Sequence, residues 1–352
     1  MKYLFGDKVD RNISSQVFLA LLVVMFAVGG IDFLFVVLNE LSDISDIYNL
    51  NELLSYSVMS MPYRLFDLTA YFSLIGVIFG LGVLSDNGEL IGARILGKSY
   101  ISIAISAFKP VFILILIGIL ASEFFIPNLS QTAEENRLIK LEGSSARNSY
   151  WTETDKGLVT FKAVPEKDKV EGLSLYEFNS ANKVIRIINS KDATFKFKKW
   201  QINNPEVIFI DESKRDNIYS LDNLSFLGSD GDFSFLLSPK YLSLTDLYNQ
   251  IELSSSKYRK NQLSLEFWRK ILQPFITLSL VLLALGFLFG PLRDINSGQR
   301  IIFGIGIAFT VDLTQKLLGS ISVVSSIPPF LAVLLPILII GFLGFFLLRK
   351  VR

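Results

Sequence analysis

With 352 residues the chain is long enough for two domains, yet hydrophobic residues make up 51% and charged residues 19%, against about 25% charged in soluble proteins. Phe alone counts 30 and the mean hydropathy is +0.45, so a wholly soluble enzyme is excluded. The net charge of +1, with no Lys/Arg stretch interleaved with aromatics, argues against nucleic acid, and the absence of Cys and His removes disulfides, thiol nucleophiles, zinc sites of the HExxH type and Ser-His-Asp triads.

Several apolar runs reach the roughly 18 to 20 residues that cross a bilayer. The first, residues 13–38, is interrupted only by Asp32; it is too long for a signal-peptide core and no small-residue cleavage site follows, so a retained span is expected. The second runs over residues 56–84 with Arg64 and Asp67 near its start, and the third over residues 101–125 with Lys109 near its start. The polar stretch 127–262 reads mainly as strands, at residues 157–164, 172–178, 183–188, 193–200 and 207–210, separated by Asn, Asp, Ser and Pro. Short strands at this spacing point to a sandwich or jellyroll. A helical piece at 243–253, with Leu244, Leu247, Tyr248 and Ile251 on one face, leads back to apolar runs at 268–289, 301–321 and 330–348. The expected architecture is therefore a membrane bundle of six transmembrane α-helices with an inserted all-β, jellyroll-like domain, divided as residues 1–126, 127–262 and 263–352.

The positive-inside rule orients the spans. Lys2, Lys8 and Arg11 precede the first, Arg94 and Lys98 lie between the second and third, Arg293 and Arg300 between the fourth and fifth, and Arg349, Lys350 and Arg352 follow the sixth. The loop 39–55 holds Glu40, Asp43, Asp46 and Glu52 but no Lys or Arg, and the loop 322–329 has no charge. Both termini are expected in the cytoplasm and residues 127–262 outside it.

Between the second and third spans, residues 85–98 read as a short amphipathic helix on the cytoplasmic side, with Ser85 expected as its cap, Asp86 and Glu89 in the first turn, Leu90, Ile91, Ile95 and Leu96 as apolar positions, Arg94 near the end and Gly97 as its stop. Two readings stand for it: a helix lying in the lipid interface, or one docked in a groove of a cytoplasmic partner. Inside the spans, Arg64 and Asp67 (i, i+3) and Asp312 and Lys316 (i, i+4) can each share a helix face, and mutual neutralisation is the favoured role. Asp32 has no such local partner. Lys109 and Lys316 are placed to snorkel. Gly290 and Pro291 are expected to stop the fourth span, with Arg293 anchoring that end, and Pro328-Pro329 to form a rigid turn before the sixth. No G-x-x-x-x-G-K-[ST] is present, and Gly304-Ile305-Gly306 lies in a span, so any ATP hydrolysis belongs to another chain. No catalytic residue, metal site or cofactor of its own is expected.

Taken in order, these segments resemble the permease family of the bacterial lipopolysaccharide export system, and within it the G-type subunits. The resemblance covers nearly the whole chain and is densest at Gln273-Pro274, Phe289-Gly290-Pro291-Leu292-Arg293 with Gly298 and Arg300, Ile327-Pro328-Pro329 and Leu335-Pro336. It extends to Leu81-Gly82-Val83-Leu84, Glu89-Leu90 with Gly97, and residues 172–178. It implies one half of an ABC exporter in the inner membrane: an F-type and a G-type permease, each with six spans and a periplasmic β-jellyroll, a cytoplasmic ATPase dimer that holds ATP and Mg, a single-span periplasmic bridge protein, and lipopolysaccharide as cargo. The helix at 85–98 then matches the family's coupling helix, so Glu89, Leu90, Ile91, Arg94 and Gly97 are expected at the ATPase, and docking outweighs lipid contact. Spans one and five are expected to line the substrate cavity and its gates through Asp32, Phe33, Phe35, Leu38, Asp312 and Lys316. Two departures stand out: the outer end of span one, from Asp32 to Glu40, carries no cation where relatives often do, and Ala70 replaces a proline common in span two. A mechanotransmission-type ABC membrane subunit usually has four spans in another order, and an intramembrane aspartyl protease using Asp32 and Asp312 would show a G-x-G-D context that neither has.

Overall fold

The computed structural model of the protein describes residues 8–350 except 46, 143–149, 155–156, 162, 167–168, 180–182, 197–198, 211–218, 221–223, 227–237, 255–256, 291–294 and 326. The helices are α1 (Lys8–Glu40), α2 (Leu50–Asp67), α3 (Thr69–Asp86), α4 (Glu89–Ile95), α5 (Tyr100–Phe124), α6 (Ile126–Glu142), α7 (Leu244–Leu253), α8 (Lys257–Phe289), α9 (Ser297–Val324) and α10 (Pro329–Lys350). Six of them, α1, α3, α5, α8, α9 and α10, are long and apolar enough to cross a membrane. Asp46, and Pro291 and Arg293 of the expected stop after α8, lie outside the described residues.

The second apolar run departs from expectation. Instead of one span over 56–84 it forms α2 and α3, broken at Leu68, and only α3 has the length and hydropathy of a span. Pro62 removes one backbone donor from α2. At the break, Thr69 Oγ1 donates to the Leu65 carbonyl (3.0 Å) and Gln273 Nε2 to the Phe66 carbonyl (3.2 Å), so side chains occupy acceptors that a continuous helix would have used.

The chain divides into two compact units, residues 1–35, 61–126 and 264–352 in one and 36–60 and 127–263 in the other. In the first, α3 is the central strut: Phe72, Leu74, Val77, Ile78 and Leu81 are buried. Helices approach closely where side chains are missing. A Cβ at Gly80 would lie 2.9 Å from the Val17 Cα of α1, and one at Gly344 of α10 would lie 2.6 Å from the Leu283 nitrogen of α8. Association inside a membrane depends on such contacts between small residues, because lipid already solvates the apolar side chains.

In the second unit the strands are β1 (Tyr150–Thr154), β2 (Gly157–Phe161), β3 (Ala163–Glu166), β4 (Lys169–Phe178), β5 (Val184–Lys196), β6 (Lys199–Asn203), β7 (Glu206–Phe209), β8 (Tyr219–Ser220) and β9 (Leu224–Phe226), all paired antiparallel. The long hairpin of β4 and β5 serves two arms. One half carries β2 and β1 on one side and β7 and β8 on the other; the other half carries β3 on one side and β6 and β9 on the other. In the first arm Val159, Leu175, Ile188 and Val207 stand directly opposite one another across four strands and are all buried. That row is the sheet's core, as cross-strand apolar neighbours on one face require.

Two strand expectations change. The run 157–164 divides into β2 and β3, whereas 183–188 and the first part of 193–200 are joined through residues 189–192 into β5, and the end of 193–200 falls in β6. The polar residues that read as a break bond sideways instead: the Ser190 hydroxyl donates to the Asn203 carbonyl, and Asn203 Nδ2 donates to Asp192 at 2.8 Å. α6 fills the start of the polar stretch, ahead of the first expected strand, where no element was assigned. The helix at 243–253 is as expected, with Ser243 and Asp246 forming a capping box and Leu247 buried, although Tyr248 is exposed.

Candidate functional site: a helical joint and two bare helices

α4 is shorter than the expected 85–98 helix, and Ser85 does not cap it. α3 runs on through Asp86, and Gly88, with φ +73°, takes the N-cap position of α4. At the other end Gly97 (φ +86°) stops the helix as expected: its N–H donates to the Arg94 carbonyl and that of Lys98 to the Ala93 carbonyl, a Schellman arrangement. Leu90 and Ala93 turn into the core, whereas Ile91, Ile95 and Leu96 are 61%, 81% and 72% exposed. Leu90 therefore seats α4 on its own bundle, and the bare apolar face is Ile91, Ile95 and Leu96. Asn12 of α1 donates to Glu89 (2.7 Å), Lys98 bonds Asp10 (2.8 Å), and the Arg94 guanidinium lies 3.9 Å over the Tyr100 ring. These contacts fix both ends of α4 while its outer face stays open.

Next to this joint, Arg300 is buried. Its Nη1 donates to Asp86 Oδ1 (2.9 Å) and to the Gly82 carbonyl (3.1 Å), joining the first turn of α9 to the last turn of α3. From the sequence alone Arg300 is a loop charge and part of the family resemblance, with nothing to mark its burial against α3.

The intramembrane charges pair partly as expected. Lys316 Nζ lies 2.7 Å from Asp312 Oδ2, and the Tyr71 hydroxyl donates to the other carboxylate oxygen at 3.1 Å. Asp32 does have a partner: Arg64, expected to face Asp67, lies 3.5 Å from it across α1 and α2. Arg269 was not singled out from sequence, although Glu266 at i, i−3 is a signal for it. It bonds Glu266 at 2.8 Å and rests on α9 where Gly319 leaves room. Each of Asp32 and Asp312 thus faces a cation, which is not the pair of carboxyls sharing a proton that an aspartyl protease uses.

In the second unit Arg137 of α6 answers the acidic loop. Its Nε lies 2.7 Å from Glu40, its Nη2 3.1 Å from Asp43 and its Nη1 3.9 Å from Glu134, while Lys140 pairs with Glu52. Burial works against the Arg137 charge, but the hydrogen bond and charge of Glu40, together with Tyr56 and Glu134, outweigh it and hold the guanidinium above its usual range. Tyr48 is pushed up by burial and by Glu40, to which its hydroxyl donates at 3.1 Å. With three carboxylates around its fork, Arg137 is engaged within the protein.

The candidate spans least buried within the protein are α1 and α9, whose most apolar windows are 22% and 17% buried against 72% for α3. On α1, Phe35 and Leu38 are exposed and Phe33 is half-buried; on α9, Phe303, Phe309, Leu313 and Leu317 are exposed. Among the described residues no group of three or more His, Cys, Asp or Glu side chains is placed to hold a metal ion.

A family model, lipopolysaccharide export system permease LptF/LptG, matches residues 11–350. The chain is 26% identical to the lipopolysaccharide export system permease protein LptG of Haemophilus influenzae, over 98% of this chain and 99% of that one. It is 25% identical to the protein of the same name from Escherichia coli K12, over 93% of this chain and 94% of that one. The chain, which has six candidate spans and an antiparallel sheet among its described residues, belongs to the LptF/LptG family of lipopolysaccharide export system permeases.

Proposed function

We propose that the chain is a permease subunit of an ABC-type exporter that extracts lipopolysaccharide from the outer leaflet of the inner membrane and passes it through its periplasmic domain toward the outer membrane. The observation that carries this reading is the family match over residues 11–350, which takes in spans and sheet alike. Six candidate spans among the described residues, rather than four, favour it over a mechanotransmission-type subunit. Both termini and α4 lie in the cytoplasm and residues 127–262 in the periplasm, supported by the positive charge of the short loops on the termini side. The sheet is a jellyroll of the family type, supported by the two arms that share one hairpin. ATP is hydrolysed by a separate cytoplasmic dimer, since no phosphate-binding loop is present in this chain. An F-type permease completes the cavity and a single-span bridge protein joins the periplasmic side.

In this reading Ile91, Ile95 and Leu96 enter a groove of the ATPase, with Glu89 and Arg94 at its rim, while Leu90 and Gly97 hold the helix in shape. Phe33, Phe35 and Leu38 of α1 and the bare face of α9 form apolar wall against acyl chains. Asp32, itself an anion, cannot attract phosphate, and Lys316 does not serve as a phosphate ligand because Asp312 neutralises it. Lipid already solvates acyl chains, so burial in this wall cannot by itself extract the substrate, and ATP-driven closure of the cavity must supply the work.

The test is depletion of the chain in its own cell. Lipopolysaccharide should accumulate in the inner membrane and fall in the outer membrane; an unchanged distribution of the glycolipid on depletion contradicts the reading.

A further inference from the structure

We infer that Arg300 is a positioning residue that locks the start of α9 to the α3–α4 joint, so that a movement of α4 is delivered to α9. The inference rests on the reading of α4 as the ATPase-docking helix and of α9 as cavity wall. A cation in the first turn of a helix opposes that helix's own dipole, so Arg300 is poorly placed with respect to α9 alone. It is well placed with respect to α3. Its guanidinium meets the carbonyl of Gly82 at 3.1 Å and the carboxylate of Asp86 at 2.9 Å, at the negative end of the α3 dipole, and the side chain is only 3% exposed. A charge so buried holds its geometry, because losing one partner leaves the other charge uncompensated away from water.

The two residues after Asp86 lead straight into α4, through the left-handed Gly88, and α4 is seated by Leu90 and Ala93 in the core that also holds α3. The end of α3 and α4 therefore move as one body, and Arg300 is the bolt between that body and α9. Further along α9, α3 again lies close: a Cβ at Gly304 would be 3.1 Å from Ile78. Asp312 and Lys316 follow on the same helix, beginning about 18 Å from Arg300 at 1.5 Å per residue. A tilt imposed at the α4 end is thus carried along a rigid helix to the apolar face proposed to meet the substrate.

The test uses the whole exporter, this chain with its partner permease and the ATPase, in proteoliposomes containing lipopolysaccharide, with ATP hydrolysis and glycolipid release measured in the same sample. The variants are Arg300→Met, Arg300→Lys and Asp86→Asn; Asp86 is partly exposed, so its variant keeps the test open if Arg300→Met does not fold. A spin label at the exposed Phe303 reports on α9 in each complex. The expected result is hydrolysis within about twofold of wild type, release per ATP lowered about fivefold or more in Arg300→Met and Asp86→Asn, and a smaller loss in Arg300→Lys. The ATP-dependent change at the label should vanish with the coupling. Unaltered release per ATP and an unaltered label response in both Arg300→Met and Asp86→Asn overturn the inference. If the wild-type complex releases no lipopolysaccharide, the substrate reading fails. The label then still decides the coupling: an ATP response present in wild type and lost in the variants supports it, and any other pattern rejects it.

Discussion

α3 and α9 have the same mean hydropathy, 1.5, over their most apolar windows, yet 72% of one window is buried in the protein and 17% of the other. Hydropathy reports that a helix tolerates a membrane; burial reports what the helix is for. α3 packs by subtraction, with Gly76 and Gly80 letting Leu21 and Val17 of α1 approach to within contact of its backbone. α9 does the reverse and presents Phe303, Phe309, Leu313 and Leu317 outward. A helix of the first kind holds a bundle together, and one of the second kind has surface left for another chain, for lipid or for cargo.

The sharpest way to break this contrast is to exchange the roles of two glycines. A Cβ at Gly80 would sit 2.9 Å from the Val17 Cα and 3.2 Å from the Gln16 carbonyl, backbone atoms that cannot swing aside, whereas one at Gly306 of α9 meets nothing within 4 Å. Gly80→Leu should therefore cost more than the roughly 1–3 kcal/mol of ordinary overpacking. Gly306→Leu should stay within about 0.5 kcal/mol of wild type. Thermal stability of the detergent-purified protein, followed by the recovery of a monodisperse species, measures both. Equal losses in the two variants would end the distinction between strut and wall.

A smaller effect separates the two faces of α4. Leu90→Asp places a carboxylate in the core and should lower the yield of folded protein, with ATPase association falling in consequence. Ile95→Asp, at a position 81% exposed, should leave folding intact and reduce ATPase co-purification alone. Normal co-purification with Ile95→Asp contradicts the docking face proposed here.

What could be read from the sequence was what is local. The apolar runs other than the second, the Gly97 stop and the Asp312–Lys316 pair each depend on residues within a few positions of one another, and each appears in the structure. The Asp86–Arg300 and Tyr71–Asp312 contacts join residues 214 and 241 positions apart, and no periodicity carries such a pairing. Asp32 looked unpartnered for the same reason: its cation, Arg64, sits on another helix. α6 was missed because its support comes less from an apolar stripe than from Arg137 and Lys140 meeting the carboxylates of residues 40–52. Leu90 was assigned to the docking face because spacing alone marks an amphipathic helix without telling its inner apolar residues from its outer ones.

The most direct measurement of the central claim, that the bare helices α1 and α9 are the wall met by lipopolysaccharide, is site-specific photocrosslinking in the assembled exporter. Probes at Leu38 and Phe309, both exposed, are compared with one at Ile78 in the core of α3. The account predicts crosslinks to lipopolysaccharide at Leu38 and Phe309 that ATP reduces while raising crosslinks in the β domain, and none at Ile78. Glycolipid crosslinks at Leu38 and Phe309 that are absent, or that ATP leaves unchanged, would contradict it.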